Sequence, residues 1–144
     1  MTQTLALNLL HCVCSTRHRE NLIRDPEKLW NDLQAIARDI GVNILRIGGT
    51  TNHVHMLLAV PPTHTVADVI RDLKAKSSRH LNEEAPFACQ DGYAVFSVSP
   101  SLVEKAAAYI SNQKDHHARV WFEEEYRALA DPSGLPYPQK SLLG

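Results

Sequence analysis

The chain has 144 residues, 44% hydrophobic and 22% charged, which is enough for one domain to bury a core without disulfides or a structural metal. That balance excludes a disordered or fibrous protein; no apolar run approaches the roughly 20 residues of a membrane span, and the N-terminus lacks the pattern of a secretion signal, so a cytoplasmic protein is expected. The net charge of −1 excludes the strongly basic footprint of a protein that coats duplex DNA without regard to sequence.

Residues 5–14, Leu-Ala-Leu-Asn-Leu-Leu-His-Cys-Val-Cys, are mostly apolar and predict a first strand. Asp25 offers a helix N-cap, and Pro26 occupies the first helical position, where its missing N–H costs nothing. Leu29, Leu33, Ile36, Ala37 and Ile40 then recur at helical spacing up to Gly41, a stop. Val42 to Ile47 form a β-branched run that Gly48-Gly49 is expected to break, and His53 to Val60 form another, closed by Pro61-Pro62. Thr65 caps a second helix with the apolar stripe Val66, Val69, Ile70, Leu73 and Leu81. Tyr93 to Val98 give a fourth strand. Ser101-Leu102-Val103-Glu104 fits a capping box at the start of a third helix reaching about Arg119.

The order β-α-β-β-α-β plus a helix predicts an α+β, ferredoxin-like antiparallel sheet with two helices on one face. A single domain over residues 1–144 is expected, with its core at about 5–129 and an irregular tail at about 130–144. The other face of the sheet is left for function, for the last helix or for a partner subunit.

Cys12, Cys14 and Cys89 are an odd count in a chain without a secretion signal, which favours free thiols over a disulfide framework. Cys12 and Cys14 share one strand face, but no second thiolate pair follows to complete a zinc site. Charge is uneven: residues 1–80 carry ten Lys/Arg against seven Asp/Glu, and residues 81–144 five against nine. Arg17, Arg19, Arg71, Lys74, Lys76 and Arg79 are therefore candidates for holding a nucleic-acid backbone, against the plainer reading of a solvated surface.

In His53-Val54-His55 the imidazoles are two residues apart on a strand, so they project from one face with backbones roughly 6.8 Å apart. Val54, Met56, Leu58 and Val60 take the opposite face, toward the helices. A half-buried polar strand face would read the same way, so the pair needs corroboration. Tyr109 and Gln113 supply it by standing at i and i+4 on the last helix, with Val103, Ala106, Ala107 and Ile110 as the buried stripe and Tyr109 on its flank. A flank tyrosine alone is an ordinary packing residue.

Three stretches, Gly48-Gly49-Thr50-Thr51-Asn52-His53-Val54-His55-Met56-Leu57-Leu58, Gly92-Tyr93-Ala94-Val95-Phe96-Ser97-Val98-Ser99 and Tyr109-Ile110-Ser111-Asn112-Gln113-Lys114-Asp115-His116-His117, resemble the IS200/IS605 family of single-tyrosine transposases, whose two-histidine motif makes them HUH endonucleases. The likeness runs from about residue 8 to about residue 129, nearly the whole chain, and is compatible with the REP-associated branch of the family. Cys14 and Cys89 depart from it, standing where the family pattern favours aromatic residues.

The resemblance implies Tyr109 as the nucleophile, His53, His55 and Gln113 as ligands of a divalent metal, single-stranded DNA carrying hairpins as the substrate, and a homodimer in which the tyrosine helix of one subunit can serve the other. Two imidazoles and an amide oxygen without thiolate suit Mg²⁺ or Mn²⁺ and leave positions open for substrate. A covalent tyrosine intermediate keeps the energy of the broken phosphodiester, which fits the absence of a Gly-Lys-Ser/Thr nucleotide loop. The competing expectation is a domesticated or inactive protein of the same fold that binds DNA hairpins without cutting them.

Overall fold

The computed structural model describes residues 3–83 and 87–113. In chain order these form β1 (Leu9–Ser15), α1 (Pro26–Asp39), β2 (Asn43–Gly49), β3 (His53–Ala59), α2 (Val66–Asn82), β4 (Ala94–Ser97) and α3 (Val103–Ser111), with short 3-10 turns at Arg17–Arg19 and Pro100–Leu102. The four strands make one sheet in the order β2-β3-β1-β4, with every pairing antiparallel. This is the ferredoxin-like α+β arrangement that the element order predicts. The 130–144 tail, His116, His117 and the expected continuation of the third helix toward Arg119 lie outside the described residues.

Local chemistry explains most boundaries. The Asp25 carboxylate accepts from the Lys28 N–H at 3.2 Å, and Pro26 opens α1. Just past its end, Gly41 takes φ +78°, a left-handed conformation that stops the helix at little cost only for glycine. The Thr65 hydroxyl caps α2 by accepting from the Asp68 N–H at 3.2 Å.

Three boundaries differ from the sequence reading. β1 begins at Leu9 instead of residue 5, because its partner strand runs out: Leu9 pairs with Ala59, the Val60 N–H donates to Asn8, and Pro61-Pro62 have no N–H with which to continue the ladder. Leu5 and Leu7 are consequently exposed. Gly48 and Gly49 do not break β2 but finish it, paired with His55 and Val54. The capping box does not form. Pro100 starts a 3-10 turn one residue ahead of Ser101, the Ser101 hydroxyl lies 3.0 Å from that of Ser99, and α3 has Leu102 at its cap with no side-chain cap hydrogen bond.

The core lies between the sheet and the α1/α2 layer. Leu29, Leu33, Ile36 and Ala37 of α1 and Val69, Ile70 and Leu73 of α2 pack with Leu10, Cys12, Cys14, Ile44, Val54, Met56 and Leu58. A bulge between Ile44 and Arg46 matters to this layer. Ile44 and Ile47 are three apart and would face opposite ways in a regular strand; the extra residue turns both toward the core and leaves Leu45 exposed.

Cys12 and Cys14 are buried in that core with their sulfurs 3.7 Å apart, and Cys89 is half-buried, all three as free thiols. The hydrogen bond to Cys14, and then burial, pushes the Cys12 thiol well above its ordinary range, and burial raises that of Cys89. The hydrogen bond to Cys12 lowers the Cys14 thiol, and the expectation of free thiols holds for all three.

Candidate functional site

The sheet face opposite the core carries His11, His53 and His55, and α3 lies across it. The approach is close at Gly48, where an added Cβ would sit 2.1 Å from the Ile110 carbonyl oxygen. Ile110 is fully buried, and its neighbour Tyr109 is only partly so, as expected for a residue on the flank of the helix stripe. The covering helix excludes water from His53, His55 and Gln113, which are 1%, 0% and 1% exposed. All four residues singled out in the sequence therefore meet within one chain.

Their geometry is specific. His53 Nδ1 lies 2.8 Å from Asn52 Oδ1 and 3.0 Å from the Thr50 hydroxyl, which itself donates to Asn52 Oδ1. The Asn52 amide nitrogen donates to the Arg19 carbonyl at 3.4 Å, which fixes the orientation of that amide. Both neighbours of Nδ1 are thus acceptors, and Nδ1 carries the proton. The other nitrogen, Nε2, lies within hydrogen-bond distance of Gln113 Oε1, at 3.3 Å. Gln113 is oriented in turn by its Nε2, which donates to the Tyr109 carbonyl at 3.2 Å. Either an Nε2–H donating to that oxygen or a cation shared by the two atoms satisfies this contact.

His55 stands beside this pair, its ring centroid 5.2 Å from that of His53 and edge-on to it. Its Nδ1 is engaged by His11 Nε2 at 2.7 Å, so the nitrogen it would offer an ion is Nε2. The Tyr109 ring lies edge-on to His55 at 5.7 Å and to His11 at 5.9 Å. Among the described residues, no group of three or more His, Cys, Asp and Glu side chains is arranged to hold a metal ion. The set that fits a cation here is two imidazoles and an amide oxygen, with a hydrogen-bonded outer layer of Asn52, Thr50 and His11 of the kind that orients metal ligands.

That outer layer escaped the sequence reading. The one signal for His11 was an imidazole inside an otherwise apolar strand, where a polar group needs a partner.

The basic candidates are divided. Arg17, Arg71 and Lys74 line a cleft of about 460 Å³ between α2 and residues 87–93, together with Tyr93 and Gln90. The Lys74 ammonium donates to the carbonyls of Gln90 and Gly92 at 2.6 and 2.7 Å and lies 5.6 Å from the centre of the Tyr93 ring, so it braces this loop. Arg71 is paired with Asp68 and Asp72 on the exposed face of α2. Arg79 is exposed and Arg19 half-buried, and neither lines the cleft.

No helix among the described residues is long and apolar enough to cross a membrane. The fold is similar to that of a REP-associated tyrosine transposase solved with a bound REP hairpin (TM-score 0.63, 14% identity, covering 96% of this chain and 89% of that one). It is likewise similar to a candidate transposase from Deinococcus radiodurans R1 (TM-score 0.62, 22% identity, 78% of this chain and 95% of that one). In sequence, the ISDra2 transposase TnpA of Deinococcus radiodurans is 25% identical over 120 residues, covering 77% of this chain and 85% of the relative. The profile of the family described as "Transposase IS200 like" matches residues 5–113, from before the first strand through Gln113, and the chain belongs to that family.

Proposed function

We propose that the protein cuts and rejoins single-stranded DNA carrying hairpins, with Tyr109 as the nucleophile and a divalent cation, Mg²⁺ or Mn²⁺, held by His53, His55 and Gln113. The observation that carries this reading is the buried approach of His53 Nε2 to Gln113 Oε1 at 3.3 Å, with the Tyr109 ring 5.7 Å from His55. The hairpin bound to the REP-associated neighbour supports the choice of substrate.

The cation supplies positive charge to polarise the scissile phosphate and stabilise the departing 3′ oxygen. The protein supplies everything else. Asn52 and Thr50 hold His53 in the one tautomer that offers Nε2, and Gln113, tied to its own helix, brings a neutral ligand that does not spend the ion's charge. The Tyr109 phenolic oxygen attacks phosphorus and gives up its proton, the bond from phosphorus to the 3′ oxygen breaks, and that oxygen leaves as a 3′-hydroxyl. The 5′ phosphate stays on Tyr109. The phosphodiester energy is thereby retained, so a 3′-hydroxyl from a second strand can reverse the step and free the tyrosine without ATP.

Incubation with hairpin-bearing oligonucleotides and Mn²⁺ should yield a protein–DNA adduct whose linked peptide contains Tyr109. Excess EDTA should reduce the adduct to background, and Mn²⁺ or Mg²⁺ added back should restore it. Tight hairpin binding with no adduct in either metal would overturn the reading in favour of a DNA binder that does not cut.

The reading includes a homodimer, as the family resemblance implies. Tyr109 lies beside His55 of its own chain, which supports a site assembled within one subunit. Mixing Tyr109→Phe protein with His53→Ala protein should then leave adduct formation absent, because neither subunit holds a complete site. Recovery of adduct toward about a quarter of the normal yield in an equal mixture, one site in each mixed dimer, would mean that the tyrosine helix crosses between subunits.

A further inference from the structure

We propose that His11 is a positioning residue for the cation site: its Nε2 accepts the His55 Nδ1 proton and so aims the His55 Nε2 electron pair at the ion. This rests on the cation site of the proposed function.

His11 is 5% exposed on the central strand β1. In the β1–β3 register it stands opposite Leu57, while His55 stands opposite Val13, so the two imidazoles are diagonal neighbours on one sheet face, within reach of ring side chains. They meet at 2.7 Å, His11 Nε2 to His55 Nδ1. One proton lies between these nitrogens. On His11 it would force His55 into the Nε2–H form, which has no electron pair to offer an ion there. On His55 it makes Nδ1 the donor, leaves Nε2 as the ligand atom and fixes the ring plane. The second arrangement, set by His11 before any ion arrives, favours the cation.

The two ligand histidines are then held in the same way from different elements. His53 Nδ1 is held by Asn52 and Thr50 on the β2–β3 turn, and His55 Nδ1 by His11 on β1. A packing role alone would be met by an apolar residue, as at Leu9 and Val13, buried two positions away on the same strand face.

The test uses the full-length protein and Mn²⁺ without DNA, with titration calorimetry and thermal melting as readouts. The parent should bind Mn²⁺; if it does not, the cation reading itself fails, which is a different outcome from failure of the His11 role. His11→Leu should bind Mn²⁺ about 10- to 100-fold more weakly, and His11→Gln, whose amide oxygen can accept the same proton, should recover most of the loss. Equal Mn²⁺ affinity in the parent and His11→Leu would overturn the proposal, as would a His11→Gln variant that melts like the parent yet binds no better than His11→Leu. Should His11→Leu fail to fold, nitrogen-15 spectra of the metal-free parent still decide. His55 should be the Nδ1–H tautomer, and an Nε2–H assignment would sink the idea.

Discussion

Tyr109→Phe should give a protein that folds and binds Mn²⁺ like its parent but forms no covalent adduct with DNA. Ile110, not Tyr109, anchors α3 in the buried layer, and phenylalanine keeps the ring that meets His55 and His11 edge-on. Loss of the hydroxyl should change stability by no more than about 1 kcal/mol, the usual net worth of one hydrogen bond. The chemistry has no substitute for it. A phenol is a weak nucleophile at neutral pH, with an ordinary pKa of about 10, and it becomes useful only where a polarised phosphate is brought against it. Removal of a nucleophile from an assembled site typically costs at least about 10⁴-fold in rate, so the adduct should fall below detection on a denaturing gel. A persistent adduct at wild-type yield would mean that Tyr109 is not the attacking group, and the linked peptide would identify the residue that is.

The parts of this site that depend on local geometry were legible in the sequence. Strand alternation alone put His53 and His55 on the face away from Val54, Met56 and Leu58, and helical spacing alone put Tyr109 above Gln113. Asp25-Pro26 and Thr65 announced their helices because a cap is a contact over three residues. What could not be read depended on which strand lies beside which. His11 meets His55 across 44 positions of chain, a contact set by the β1–β3 register. The start of β1 was obscured for the same reason, since the prolines that end its ladder belong to its partner. Asn52 and Thr50 sit within three positions of His53, yet their role follows from a turn conformation that residue type alone does not dictate. The Ser101 box misled because Pro100 moved the turn forward by one residue.

The glycine pair that ends β2 shows how far a misread local signal can reach. Read alone, Gly48-Gly49 is a strand breaker; in the fold it is the place where a helix backbone rests on the sheet. An alanine at 48 would set its Cβ 2.1 Å from the Ile110 carbonyl oxygen and 3.0 Å from the carbonyl carbon. Both are backbone atoms with no rotamer by which to escape. Relief requires α3 to move by about 1 Å or more, since ordinary contact begins near 3.4 Å, and α3 carries Tyr109 and leads directly into Gln113. A shift of about 1 Å at reacting groups can cost about 100-fold in rate. Gly48→Ala should therefore lower the rate of adduct formation by about that factor and weaken Mn²⁺ binding, because Gln113 Oε1 is drawn away from His53 Nε2. The α1/α2 core lies on the sheet face opposite the Gly48–Ile110 contact and should keep its amide-exchange protection, whereas amides of α3 should exchange faster. Full activity in Gly48→Ala would show that α3 need not lie as close to the sheet for the reaction as it does here, and the site would then have to assemble with that helix in another position.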